Sequence, residues 1–245
     1  MIAVLVTTYV PPGGQLRIEA VRRAVESWKA HLGVPGEVHV HVSDDGSAPD
    51  LDFGESFWRR LLGDWATLSY SQQQQGGLGA SLNTGLAVCT KISPFVLYPM
   101  DDWELACDLD LQPWMNLLTQ HPEIGCIRMG QPSGSVRGGR GRRFGQQVGV
   151  SFERYAFYWS LVPALYHERF FYAYGPFMEA ASPAKTEVEY NAAICARPDG
   201  PDVLVAMLSP WQHLWSLKLG DLEPNQAVPP ERFQATVNTQ SYDFG

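Results

Sequence analysis

The chain has 245 residues, 45% of them hydrophobic and 18% charged, a balance ordinary for one globular α/β domain with a sizeable core. Its net charge of −8 argues against wholesale electrostatic binding to nucleic acid or to an anionic membrane, while leaving room for a local basic patch. No apolar run approaches the length of a membrane span.

The first predicted element is a strand over Ile2 to Val6, a short apolar run with no preceding basic region, which reads as a core strand and not as a signal peptide. It stops at Thr7-Thr8-Tyr9 and the turn-rich Pro11-Pro12-Gly13-Gly14. From Gln15 to Leu32, apolar residues recur on one helical face (Leu16, Ile18, Val21, Ala24, Val25, Trp28, Leu32), so an amphipathic helix ended by Gly33 is expected. Val38, Val40 and Val42 alternate with His39 and His41 in a second strand that ends at Ser43-Asp44-Asp45-Gly46-Ser47. Strand, helix, strand implies parallel neighbours and a right-handed crossover.

The pattern repeats, with a helix over Phe57–Leu62, a strand over Thr67–Ser71 and a helix over Leu78–Cys89. A central buried strand over Pro94–Tyr98 runs into Pro99-Met100-Asp101-Asp102; a helix over Leu109–Thr119 and a strand over Ile124–Met129 follow. Past Gly130 come a loop rich in Gly and Arg (Gly134 to Gly145), an aromatic-dense stretch (Phe152 to Tyr174), a short helix near Glu187–Arg197 and a strand over Val203–Met207. The tail after Asp221 has no periodicity and is expected to wrap the surface or to be partly mobile. Alternating strands and helices over the first half predict α/β with a mostly parallel central sheet. Cys89, Cys107, Cys126 and Cys195 lie far apart with no CxxC pair, which points to reduced thiols in a cytoplasmic protein.

Open sheets of this kind bind ligands at the carboxyl ends of their strands. Three predicted strands end there in polar residues: Thr7-Thr8, Asp44-Asp45 and Asp101-Asp102. Two adjacent carboxylates raise each other's pKa, and a divalent cation such as Mg²⁺ or Mn²⁺ removes that cost. The plainer reading is a solvated loop in which one of the pair caps the next helix. A carboxylate of Asp44 or Asp45 can accept from a base N–H or a ribose hydroxyl, and an Asx-type turn is the competing role. The Gly-rich loop, through Arg137, Arg140, Arg142 and Arg143, concentrates positive charge suited to a bound diphosphate or to a phosphate-bearing partner such as nucleic acid.

Four segments in order carry a resemblance: Ile2–Val6 with Thr7-Thr8-Tyr9; Val42-Ser43-Asp44-Asp45-Gly46-Ser47; Gly76-Gly77-Leu78-Gly79-Ala80-Ser81-Leu82-Asn83-Thr84-Gly85; and Phe95-Val96-Leu97-Tyr98-Pro99-Met100-Asp101-Asp102-Trp103. Together they resemble family 2 glycosyltransferases with the GT-A nucleotide-sugar-binding fold, the last segment being similar to the family's DxD motif. The resemblance implies a nucleotide-sugar-binding half over residues 1–130. It implies an acceptor-binding and catalytic half of the same domain, the C-terminal acceptor-side region, over 131–245 with its extended tail.

The implied activity is metal-dependent transfer of a sugar from a nucleoside-diphosphate sugar, a UDP-sugar above others, to a hydroxyl acceptor, with Mn²⁺ or Mg²⁺ as cofactor. Thr7 and Tyr9 would line the nucleobase pocket, Asp44 and Asp45 would meet base or ribose, and Gly79 and Asn83 would shape the wall beside the donor. Asp102 would hold the metal, Asp101 would face ribose or sugar, and His213 resembles a C-terminal histidine that some GT-A enzymes add to the metal. Glu187 and Glu189 fall where the family places its catalytic acid, with Glu179 a third choice. Met100 and Val188 depart from the pattern, each standing where an acidic residue is common. Two alternatives stay open: a sugar nucleotidyltransferase, weakened because no basic residue precedes Arg17 in the loop after the first strand, and a nucleic-acid-binding protein on a degenerate transferase scaffold.

Overall fold

A computed structural model describes residues 1–105, 107–129, 141–144, 150–153, 159, 161–179, 182–197, 204–208 and 215–217. In chain order the elements are β1 (Ile2–Thr8), α1 (Gln15–His31), β2 (Leu32–Gly33), β3 (Val38–Asp44), α2 (Glu55–Leu62), β4 (Thr67–Gln72), α3 (Leu78–Ile92) and β5 (Phe95–Tyr98). They continue as β6 (Trp103–Leu105), β7 (Leu109–Asp110), α4 (Gln112–Gln120), β8 (Ile124–Arg128), β9 (Gly141–Phe144), β10 (Val150–Glu153) and β11 (Ala164–His167). The last described are α5 (Arg169–Tyr174), α6 (Pro183–Cys195), β12 (Leu204–Leu208) and β13 (Trp215–Leu217).

Among the described residues nine strands form one sheet, in the order β4-β3-β1-β5-β11-β8-β12-β10-β9. β4, β3, β1 and β5 pair in parallel, as do β8 and β12. β11 runs against β5 and β8, and β10 runs against β12 and β9, so these two alone oppose the other seven described strands of the sheet. The mostly parallel sheet expected from the alternating pattern is what forms.

The pleat of β1 explains the layering. Its side chains alternate between faces, as period-2 geometry requires. Ile2, Val4 and Val6 join Val21, Val25, Trp28, Trp58 and Leu118 in one core, built on α1, α2 and α4. Ala3 and Leu5 join Leu82, Leu86, Phe170 and Tyr190 in a second core under α3, α5 and α6. Both faces are covered, which is why β1 is apolar at every position until Thr7.

The structure departs from the sequence expectation from Leu109 onward. The helix expected from Leu109 begins at Gln112, because Leu32 and Gly33 capture Leu109 and Asp110 in a small parallel pair. Asp110 Oδ1 then accepts from the Gln112 N–H, and Pro113 sits in the first turn. The helix expected near Glu187 begins earlier, at Pro183, where Ser182 Oγ accepts from the Lys185 N–H. Residues 141–144 of the expected Arg-rich loop are strand β9, and the aromatic stretch contains β11 and α5. The tail after Asp221 lies outside the described residues.

Candidate active site

β1, β3 and β5 are hydrogen-bonded neighbours running the same way, so their carboxyl ends meet at one edge of the sheet. Past Tyr98 the chain turns at Met100, whose φ of 63° is the one positive value among described non-glycine residues. That turn delivers Asp101 and Asp102 to the end of β1. Thr8 Oγ1 donates to Asp101 Oδ2 at 2.7 Å, and Thr7 Oγ1 shares a hydrogen bond of 2.9 Å with the Tyr98 hydroxyl. The helix-cap reading of the pair is corrected here: Asp101 and Asp102 are followed by strand β6 and not by a helix.

The pair has a cation built in. Arg17, in the first turn of α1, spans both carboxylates, with Nη2 at 2.5 Å from Asp101 Oδ1 and Nη1 at 3.0 Å from Asp102 Oδ2. Its position is fixed because α1 is tied along β6. Trp28 Nε1 donates to the Trp103 carbonyl at 3.0 Å, the Leu105 N–H donates to Ser27 Oγ at 2.8 Å, and Arg23 pairs with Glu104 at 2.8 Å. Burial works against the guanidinium's charge, but the two carboxylates outweigh it, and Arg17 is held protonated more firmly than usual. For Asp102, burial foremost and then the Asp101 charge push the carboxyl pKa up, with Arg17 opposing both. Asp102 Oδ1 is buried and has no hydrogen-bond partner among the described residues.

The sequence expectations did not give Arg17 a role in the acid site. The available signal was electrostatic: two adjacent acids at a strand end need a cation, and Arg17 is the first basic residue after the neighbouring strand.

Asp44 and Asp45 serve different ends of the β3 loop. Asp44 Oδ1 accepts from the Ser47 N–H at 2.8 Å, the Asx-type arrangement weighed from sequence, while its Oδ2 accepts from the Tyr70 hydroxyl and Gln72 Nε2. Asp45 receives the Gly76 N–H on Oδ1 at 2.8 Å and the Gly77 N–H on Oδ2 at 2.9 Å, with Gln73 Nε2 also on Oδ1 at 3.0 Å. This clamp fixes the Gly-rich turn that starts α3. Tyr9, just past β1, is partly buried.

α3 in turn holds the segment 177–179. Gly79 and Asn83 stand four residues apart on one face of α3. An ideal Cβ on Gly79 would lie 2.2 Å from the Met178 carbonyl oxygen, so only glycine allows this approach. Asn83 accepts from the Phe177 N–H at 2.8 Å and donates at 3.0 Å to both the Phe177 carbonyl and Glu179 Oε1. Glu179 is thereby coupled, through α3 and the Gly76–Gly77 turn, to Asp45. On α6, Glu187 Oε2 accepts from the Leu161 N–H at 2.9 Å, and Glu189 pairs with Lys185 at 3.5 Å.

Arg137, Arg140 and His213 lie outside the described residues; Arg142 and Arg143 stand in β9, opposite Phe152 and Ser151 of β10. Among the described residues no group of three or more His, Cys, Asp or Glu is placed to hold a metal ion. A groove of about 360 Å³ between α1 and α2, lined in part by Ile18, Arg22, Phe57 and Arg60, contains none of the expected site residues. Cys89, Cys107 and Cys126 form no disulfide, and among the described residues no helix is long and apolar enough to cross a membrane.

No protein-family model and no curated protein sequence matches the chain. Solved structures do. S. aureus TarS 1-349 in complex with UDP matches with a TM-score of 0.59 and 17% identity, over 88% of this chain and 60% of that one. TarS 1-349 in complex with UDP-GlcNAc gives 0.53 and 15%, over 87% and 57%. GalNAc-T7 with UDP, GalNAc and Mn²⁺ gives 0.56 and 12%, over 85% and 42%. The chain thus spans about 60% of the TarS 1-349 chain and 36% of a longer TarS chain, and at such identities the likeness is one of fold. The mostly parallel sheet with β11 reversed beside β5, the acid pair at the end of β5 and these superpositions together establish that the chain has the GT-A glycosyltransferase fold.

Proposed function

We propose that this protein is a glycosyltransferase that binds a nucleoside-diphosphate sugar, a UDP-sugar first among them, at the carboxyl ends of β1, β3 and β5. The observation that carries the reading is the buried Asp101–Asp102 pair at that edge, joined to Thr8 and Arg17. The GT-A fold supports it, as do the UDP and UDP-GlcNAc bound by TarS. Thr7 and Tyr9 then line the nucleobase pocket with Asp44 and Asp45 beside it. Asp45 acts through the Gly76–Gly77 turn that it clamps.

A divalent ion, Mn²⁺ or Mg²⁺, fits the acid pair. Asp102 Oδ1 is a buried carboxylate oxygen without a donor among the described residues, and such ions are held by one or two carboxylates together with substrate phosphates. Asp102 would hold it, with Asp101 adjacent and His213 as a further ligand. When bound, the ion stabilises the charge on the departing diphosphate.

The acceptor hydroxyl must lose its proton to a carboxylate within hydrogen-bond reach. We assign that role to Glu187, oriented by the Leu161 N–H, with Glu189 and Glu179 as alternatives that single Gln variants separate. The segment carrying Arg137, Arg140, Arg142 and Arg143 is proposed to hold a phosphate-bearing acceptor, modified DNA among the possibilities, by charge-assisted hydrogen bonds.

Donor hydrolysis or transfer, measured across a nucleotide-sugar panel with Mn²⁺ and with Mg²⁺, tests the proposal. Activity that is lost in Asp102→Ala supports it; activity indifferent to both chelation and Asp102→Ala overturns the metal role.

A further inference from the structure

Of the four carboxylate oxygens of Asp101 and Asp102, three already have a donor. Arg17 Nη2 serves Asp101 Oδ1, Thr8 Oγ1 serves Asp101 Oδ2, and Arg17 Nη1 serves Asp102 Oδ2. Among the described residues only Asp102 Oδ1 is left without one. A guanidinium cannot surrender its proton, and its planar fork matches two carboxylate oxygens at once. Arg17 is four-fifths buried, with a side-chain exposure of 20%, so its charge is only weakly screened by water. A divalent cation approaching Asp102 therefore meets a fixed like charge and finds two of the pair's oxygens engaged by it.

Resting on the reading of this pair as the donor-metal site, we propose that Arg17 is the resident counter-ion of Asp101 and Asp102. It competes with divalent cations for the pair and sets their affinity. With the guanidinium in place the three side chains carry a net charge of −1, enough for weak metal binding. Without it the pair carries −2 on four oxygens, three of them open to metal. The residue is a positioning and affinity-setting group; no bond is made or broken on it.

The test measures binding of Mn²⁺ alone, by the loss of the free-ion electron paramagnetic resonance signal, to wild type, Arg17→Gln, Asp101→Asn and the double variant Arg17→Gln/Asp101→Asn. Thermal melts check that each is folded. Arg17→Gln is expected to bind Mn²⁺ at least about tenfold tighter than wild type, equivalent to ~1.4 kcal/mol. Removing Arg17 leaves two adjacent carboxylates uncompensated and can prevent folding. The double variant keeps the net charge at −1, and it is expected to bind Mn²⁺ tighter than Asp101→Asn does. Folded Arg17→Gln no tighter than wild type, or a folded double variant no tighter than Asp101→Asn, overturns the proposal.

A parallel titration with UDP separates the two readings. UDP binding by wild type with Mn²⁺ affinity unmoved by Arg17→Gln leaves the donor site standing and removes the counter-ion role. Tightened Mn²⁺ binding in Arg17→Gln without nucleoside-diphosphate binding by wild type does the reverse.

Discussion

Gly79→Ala opposes two local rules whose outcomes differ in sign. Gly79 is the second residue of α3, where helix propensity alone favours alanine by up to ~1 kcal/mol. In the structure the added Cβ would meet the Met178 carbonyl oxygen at 2.2 Å, its carbon at 2.9 Å and the Glu179 Cα at 3.0 Å. Every obstacle is backbone, so no rotamer change relieves it. Either α3 or the segment 177–179 must withdraw, which costs about 1–3 kcal/mol as overpacking. The Asn83 hydrogen bonds to Phe177 stretch as well, each contributing about 0.5–1.5 kcal/mol. The expected net loss is about 2–4 kcal/mol, read by equilibrium urea unfolding as a lower midpoint at constant slope. Gly85→Ala, mid-helix, provides the comparison. Its Cβ would lie 2.2 Å from a Leu5 methyl, the end of a side chain that can shift, so the loss is expected to be smaller. Gly79→Ala and Asn83→Ala act on the same contact and should be less than additive when combined. A Gly79→Ala protein as stable as wild type, or strict additivity with Asn83→Ala, refutes the packing of α3 against 177–179.

Asp45→Ala releases the Gly76 and Gly77 N–H groups and Gln73, and should cost about 2–3 kcal/mol in urea unfolding; a loss below about 0.5 kcal/mol contradicts the clamp. Burial, helped by His39, pushes the His41 pKa down to about 4, and burial with Arg169 does the same for His167. Between about pH 6.5 and 4 the unfolded chain binds protons that these histidines refuse when folded, so stability is full above 6.5 and falls with falling pH. Thermal melts from pH 7.5 to 4.5 should show a shallower decline in His41→Asn than in wild type; equal slopes exclude His41 as a contributor. Glu187→Gln should lower kcat at least about 100-fold with donor binding intact. If Glu189→Gln or Glu179→Gln alone does so, the base is that residue.

The first half of the chain was largely legible because its signals are local. β-branched runs that end in Thr7-Thr8 and Asp44-Asp45 form β1 and β3, and the apolar stretch before Asp101 forms β5, close to the expected limits. What stayed hidden depends on pairings across long sequence separations. Arg17 meets Asp101 across 84 residues, and the one hint of it in the sequence is the need of two adjacent acids for a cation. β11 is four residues inside an aromatic stretch, and its identity comes from filling the gap between β5 and β8 in reverse. Asp44 and Asp45 look equivalent in sequence. Register separates them: Asp44 is the last residue of β3, paired with Thr8 and Gln72, and Asp45 is the first beyond it. Gly79 was expected to shape a wall beside the donor, and the neighbour that requires glycine there is the Met178 backbone.

Calorimetric titration of nucleoside diphosphates, UDP first, into wild type and Asp102→Asn in the presence of Mn²⁺ bears most directly on the proposed donor site. Wild type is expected to bind at least one of them, with affinity at least about tenfold weaker in a folded Asp102→Asn protein. A folded wild type that binds none, or an Asp102→Asn variant that binds as wild type does, contradicts a donor site at Asp101 and Asp102.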